Sequence, residues 1–410
     1  MKDNSSAMDE FKTWVEPLMR EHLINDILPF WTQPSMLGNP IGLFPTYASQ
    51  SGVPDYSLPI YVRMHGRQTY GYLAAYLMLQ KEESLSYGLA GLKRLETYEN
   101  PLGGYFSTFT FDGKPRDTPI SIQDQCYSAF PYVMAYRVTG DKEYLDKIWS
   151  FISFIDAGPY LKGENVYMDS LTPDLKNEVY FESKTMNIVS ALDFLNAILI
   201  PALRVTPSDE LTIERKNLLV KWVKLLVDEF YGNGIFWNEK ENRSDWQAKH
   251  TDLGHTSKAY GILCKANDLF CSWGMPTMYE NVMAGYPEIV NAAARPGIGW
   301  LTDYDHSPTT FQKLNLQWWR HVLIDQTVYL YTHDYPELIS LLKQGVEAWF
   351  SCDYVDRTRV CRGVREGLSP DGHTLSNDDN IACKANCWKN AYHEVEHVLT
   401  LTGMEDSHEI

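Results

Sequence analysis

The chain is written in helix-length segments whose apolar residues recur at i, i+3, i+4 and i+7, and these segments alternate with loops of a single kind. From Phe11 to Phe30, the residues Phe11, Trp14, Val15, Leu18, Leu23, Ile27 and Leu28 trace one helical stripe, which Pro34, Gly38 and Pro40 stop. The same spacing runs over Arg67 to Leu79, Glu83 to Tyr98, Ile122 to Val138, Lys142 to Phe154, Ser183 to Leu199 and Leu211 to Phe230. It continues over Thr256 to Trp273, Met278 to Ala294, Leu316 to Thr332, Pro336 to Phe350 and Trp388 to Leu401. This predicts about twelve helices of ordinary length. The loops Asn39 to Tyr47 (NPIGLFPTY), Pro101 to Asp112 (PLGGYFSTFTFD), Tyr231 to Trp237 (YGNGIFW) and Pro296 to Asp303 (PGIGWLTD) each set glycine beside an aromatic ring. A unit of helix, helix and Gly-aromatic loop that returns about every 60 residues predicts repeated hairpins. Six of them closed in a ring form an all-α (α/α)6 barrel, in which every inner helix has two neighbours. No Pro/Gly/Ser linker or charge run divides the chain, so residues 1–410 are expected to form one domain.

Composition narrows the partners. Against 36 Lys and Arg stand 53 Asp and Glu, a net charge of -17, so the averaged surface field repels phosphate backbones and anionic lipid. Neither nucleic acid nor membrane is an expected partner. Met1 to Lys12 is polar, without an apolar signal-peptide core, and the most apolar stretch, Ala191 to Val205, is interrupted by Asp193, Asn196 and Pro201. A cytoplasmic protein is expected. Seven cysteines contain no CxxC pair; Cys383 and Cys387 lie four apart with no second ligand pair, and read as reduced core residues.

In an α/α barrel the pocket forms where inner-helix ends and loops converge, so ionisable residues at those junctions are the candidates. Arg63, His65 and Arg67 crowd a helix start in YVRMHGRQTY; basic residues there oppose the helix dipole, and a guanidinium offers a fixed fork of donors to a polyhydroxy or anionic substrate. In DLGHTSK, His255 opens a helix and Lys258 follows one turn later. An imidazole at a pocket rim suits acid–base work near neutral pH. Trp318 and Trp319 in QWWRH point about 100 degrees apart on a helix, and an aromatic face suits the C–H face of a sugar. The string HEVEH, His393 to His397, matches the HExxH pattern of zinc peptidases, but few residues follow it to supply a third ligand.

Taken in order, these signals resemble a known family. HLINDILPFW (His22 to Trp31), RQTY (Arg67 to Tyr70), GGYF (Gly103 to Phe106), DQCYSAF around Tyr127, Gly254-His255, Trp318-Trp319 and WKNAYH (Trp388 to His393) are similar to motifs of the N-acylglucosamine 2-epimerase superfamily. Its members include cellobiose 2-epimerases and aldose–ketose isomerases acting on mannose. The resemblance implies an (α/α)6 barrel, a small-molecule carbohydrate substrate and no catalytic metal or redox cofactor. It also implies that His255 and His393 are catalytic, on opposite faces of an open-chain sugar, exchanging the proton alpha to the carbonyl through a cis-enediolate that Arg67 and Tyr127 support. Substrate contacts are expected from Arg63, His65, Arg67, Tyr127, Asn187, Lys258, Trp318, Trp319 and Trp388. Two positions depart from the pattern. Lys258 stands where many relatives carry glutamate, and Asn187 where many carry a third histidine in an N-x-x-x-H pattern that aligns with Ser183 and Asn187. Two alternatives stay open. One is a glycoside hydrolase or lyase on the same barrel, drawing on Asp124, Asp303, Asp305 or Glu366; the other is a remodelled member with another substrate or no turnover. Which sugar, epimerisation or isomerisation, a nucleotide effector and oligomeric state are left open, a homodimer included.

Overall fold

The computed structural model describes residues 4–179, 186–238, 253–301, 315–316, 318–375 and 382–405. Among the described residues, twelve main helices alternate between an outer and an inner layer. The outer helices are α1 (Asn4–His22, prolonged through Leu23–Ile27 and Leu28–Trp31), α3 (Glu82–Leu95), α5 (Lys142–Asp156), α7 (Ile213–Phe230), α9 (Tyr286–Ala293) and α11 (Ile339–Ser351). The inner ones are α2 (Val62–Leu79), α4 (Ile122–Ala129, then Pro131–Thr139), α6 (Ile188–Asp193, Phe194–Leu199, Ile200–Val205), α8 (Leu253–Ser272), α10 (Trp318–Leu323, Ile324–Tyr331) and α12 (Ala391–Leu401). Each inner helix packs on the next, and α12 returns to α2, closing the ring. The hairpin repeat and the barrel read from the sequence are both present.

Inner helices are covered on every side, which sets their composition. In α2 nearly every residue from Val62 to Met78 is buried, and small residues allow close approach to both neighbours. A Cβ on Gly66 would lie 2.1 Å from the Tyr127 carbonyl oxygen of α4, and one on Gly71 would lie 3.3 Å from Ala391 Cβ of α12. Gly66→Ala must therefore push α2 off α4, and we expect a loss of about 1–3 kcal/mol in a urea titration. Gly71→Ala, meeting only a methyl, should cost less.

The inner helix α6 runs through Pro201, past the end expected from the sequence. Its turn Phe194–Leu199 is a wide i→i+5 turn, and Pro201 falls in the first turn of the segment after it, where no amide donor is needed. The same device carries α1 past Pro29. Ile188–Val205 is the one helix among the described residues long and apolar enough to cross a membrane, and 72% of it is buried inside the barrel.

Short antiparallel ribbons fix one end of the ring. Ile60–Tyr61 pairs with Thr108–Phe109, Ile120–Ser121 with Ser170–Leu171, and Asn315–Leu316 with Gly367–Leu368. The first two lead directly into α2 and α4. Helix α2 consequently starts at Val62, not at Arg67 as its apolar spacing suggested, so Arg63 and His65 are helical residues.

Candidate active site

The N-terminal turns of the inner helices converge on a cavity of about 580 Å³. Three of those turns are capped by side chains, and on α4 and α6 the capping residues also line the cavity. Ser121 and Asp124 form a reciprocal capping box on α4, the Asn187 side chain accepts from Val189 N on α6, and Asn390 accepts from Tyr392 N on α12. Of the residues singled out in the sequence, Arg63, Arg67, Tyr127, Asn187, His255, Lys258, Trp388 and His393 all line this cavity, brought from five inner helices and the loop before α12.

His65 does not join them. Two residues from Arg63 and from Arg67, it is rotated about 200 degrees around the helix from either. It faces α3, where Nε2 hydrogen-bonds the Gly91 carbonyl at 3.0 Å and the ring stacks on Phe44. Burial, against the help of Gly91, pushes its pKa down to about 4. The expected substrate contact is thus a neutral packing residue. The side chains of Trp318 and Trp319 lie outside the described residues, as do Ser183, Asp303 and Asp305.

The arginines are held differently. Arg63 Nη1 donates to Asp124 Oδ1 at 3.0 Å and Nη2 to the Cys387 carbonyl at 3.1 Å, while its guanidinium covers the half-exposed Trp388 ring at 4.4 Å. Arg67 lies over Tyr127, its guanidinium carbon 3.6 Å from the ring centroid, and donates to the Trp388 carbonyl at 3.2 Å. Its buried Nε has no hydrogen-bond partner among the described residues. Asp124 is fully engaged, since Ser107 Oγ also donates to it at 2.6 Å.

A buried acid that the sequence reading had treated only as an interruption lies at the centre of the wall. Asp193 Oδ1 accepts from the Tyr127 hydroxyl at 2.7 Å and from Lys258 Nζ at 2.5 Å, and Oδ2 accepts from Gln123 Nε2 at 2.9 Å. Lys258 Nζ also donates to Tyr127 Oη at 3.2 Å. Burial alone would neutralise both partners; their mutual attraction outweighs it, holding Asp193 below and Lys258 above their ordinary pKa values. A charged residue inside an otherwise apolar helix was the available signal, because a buried carboxylate needs a partner. Asp169, also on the wall, is pushed upward by burial despite hydrogen bonds from Ser190 and the Asn187 amide.

His393 is buried on the cavity wall, and burial, with the positive charges of Arg67 and Lys258, holds its imidazole well below its ordinary pKa. It is therefore neutral near pH 7 and able to accept a proton. The rest of the HEVEH string faces other partners. Glu394 accepts from Lys389 Nζ at 2.5 Å and Trp31 Nε1 at 3.1 Å, and His397 Nε2 is 3.1 Å from Asp325 Oδ2. Glu366, an alternative acid, is buried away from the cavity.

No protein-family model matches the chain. Over 268 residues it is 25% identical to the cellobiose 2-epimerase of Eubacterium cellulosolvens, a match covering 59% of this chain and 64% of that protein, just under two thirds of its length. Among solved structures, the cellobiose 2-epimerase of Spirochaeta thermophila superposes with a TM-score of 0.79 at 16% identity, covering 96% of this chain and 97% of that one. A D-mannose isomerase superposes with a TM-score of 0.77 at 15% identity, covering 96% and 98%.

Proposed function

We propose that this chain is a member of the N-acylglucosamine 2-epimerase superfamily and a carbohydrate isomerase: a sugar 2-epimerase or aldose–ketose isomerase that moves a proton with His255 and His393. The observation that carries the reading is that both histidines line one cavity, with His393 held neutral beside Arg67 and Lys258. A C–H bond alpha to a carbonyl is acidic enough to ionise only if a positioned base takes the proton and nearby donors stabilise the enediolate oxygen.

In the proposed reaction one imidazole removes the C2 proton of the open-chain aldose and the C–H electron pair moves onto the carbonyl oxygen. Reprotonation at C2 from the other imidazole gives the epimer; protonation at C1, with the C2 hydroxyl proton passing to O1, gives the ketose. Proton transfer of this kind involves no net oxidation, so it calls for no redox cofactor. Arg63, Asn187 and Trp388 supply hydrogen bonds and an aromatic face along the wall and mouth.

The test is to incubate the protein with mannose, glucose, cellobiose and N-acetylmannosamine and follow products by chromatography and NMR. A 2-epimer or ketose from at least one aldose is expected; no product from any aldose would overturn the reading. The depressed pKa of His393 adds a second expectation. Its working form is the neutral one, so kcat/KM should still be on its plateau at about pH 6, where an ordinary imidazole is mostly protonated, and fall only at lower pH. A midpoint at the ordinary imidazole value would contradict it.

A further inference from the structure

We propose that Lys258 is a catalytic residue, its ammonium group donating a hydrogen bond to the sugar oxygen on which negative charge develops, and that Asp193 is the positioning residue that holds it there. The inference rests on the isomerase reading and deepens it.

Lys258 follows His255 by three residues on α8, so both side chains reach the same cavity. An ammonium has three N–H donors. One goes to Asp193 Oδ1 and one to Tyr127 Oη; among the described residues the third has no hydrogen-bond partner, on a side chain that lines the cavity. Tyr127 has one hydroxyl hydrogen, and it is committed to Asp193. The phenol, expected from the sequence to support the enediolate, would have to break that bond to donate to a substrate; Lys258 breaks nothing.

The carboxylate cannot swing away, because Gln123 holds its other oxygen from α4 while Tyr127 and Lys258 hold the first. Charge points the same way. Arg67 and Lys258 both bring positive charge to bear on His393, across the cavity where the sugar would sit. When the C2 proton passes to a histidine, the electron pair of the broken C–H bond becomes charge on the carbonyl oxygen. Lys258 keeps its protons throughout, and on reprotonation the pair returns to carbon. Its attraction for that oxygen is stronger in the transition state than for the neutral carbonyl, so the benefit falls on kcat.

Single removal of Lys258 would strand the buried Asp193 charge, so the test uses Lys258→Gln combined with Asp193→Asn, which replaces the ion pair by neutral amides, beside Lys258→Arg. With the sugar that the wild type turns over, kcat, KM and deuterium uptake at C2 are measured, and folding is checked by thermal melts. In the double variant kcat and C2 exchange should fall by about 100-fold or more with KM within about threefold, while Lys258→Arg recovers to within about tenfold of wild type. Exchange within about threefold of wild type in the double variant, or a loss confined to KM, overturns the proposal and leaves the isomerase reading standing. A wild type that exchanges no sugar overturns both. If the double variant does not fold, wild type labelled with ¹⁵N-lysine decides: the Nζ resonance missing from Lys258→Arg must shift when the sugar is added, and an unmoved resonance overturns the proposal.

Discussion

His393→Ala should reduce turnover by about 10³-fold or more while leaving the fold intact. General acid–base catalysis contributes about 10²–10⁴-fold, and here the imidazole is proposed to carry the bond-breaking step itself. The structural cost should be small, because the side chain borders an existing cavity and its removal enlarges a space that water can fill. His65→Ala supplies the contrast. That ring is buried against Phe44 and Gly91 and far round the helix from the cavity, so its loss should lower the melting temperature and leave kcat per folded molecule unchanged. Steady-state kinetics with thermal melts separate the two; a His65 variant that is stable but inactive would contradict the assignment.

The second large effect is at the opposite end of the barrel. Beyond α12 the chain crosses the C-terminal ends of the inner helices, over a cavity of about 360 Å³, and Glu405 is its hub. Its carboxylate pairs with Lys265 of α8, lies 3.8 Å from Arg204 of α6 and accepts from Thr400 of α12 at 2.8 Å. Arg137 of α4 donates to the Glu405 carbonyl at 3.1 Å and to the Met404 carbonyl at 3.2 Å. Glu405→Ala leaves the buried Lys265 ammonium without its counter-charge, and a urea titration should show about 3–5 kcal/mol of lost stability. The dependence on acid follows from the same contacts. Burial raises the carboxyl pKa, but Lys265 and Arg204 outweigh it and bring it down to about 2, below the unfolded value of 4.5. A depressed acid stabilises the fold fully above its unfolded pKa and progressively less below it. The Glu405 contribution should therefore vanish between about pH 4.5 and pH 2, and the stability gap between wild type and Glu405→Ala should close over that window.

How much of this was legible depended on whether the information was local. Apolar spacing and Gly-aromatic loops announce hairpins because each helix buries a stripe, and they placed most of the twelve helices. The start of α2 was hidden because its first turn carries Arg63 and His65, polar residues that a barrel buries around its mouth and that look like loop in a linear pattern. Once the helix is extended to Val62, geometry sorts its basic residues: Arg63 and Arg67, four apart, share the cavity face, and His65 between them does not. The cluster around Asp193 was invisible for a different reason. It joins Asp193 to Tyr127, 66 residues away, and to Lys258, 65 away, through ring closure that no local pattern encodes. From the sequence, Lys258 is a substrate contact that stands where many relatives carry glutamate. In the structure it instead pairs with the acid that the sequence offered as a mere break in an apolar run. Asn187, which stood where a third histidine was expected, serves as the cap of α6.

The central claim is that two histidines on one cavity exchange a proton with C2 of a sugar. The most direct measurement is NMR of C2 deuterium uptake in deuterium oxide, starting separately from each of the two epimers, with wild type, His255→Ala and His393→Ala. Wild type should label C2 from both epimers. With the histidines on opposite faces of the sugar, each variant should lose exchange most severely from the epimer whose proton faces the missing imidazole, so the two variants should show opposite preferences. Undiminished labelling of both epimers in either variant would contradict the account.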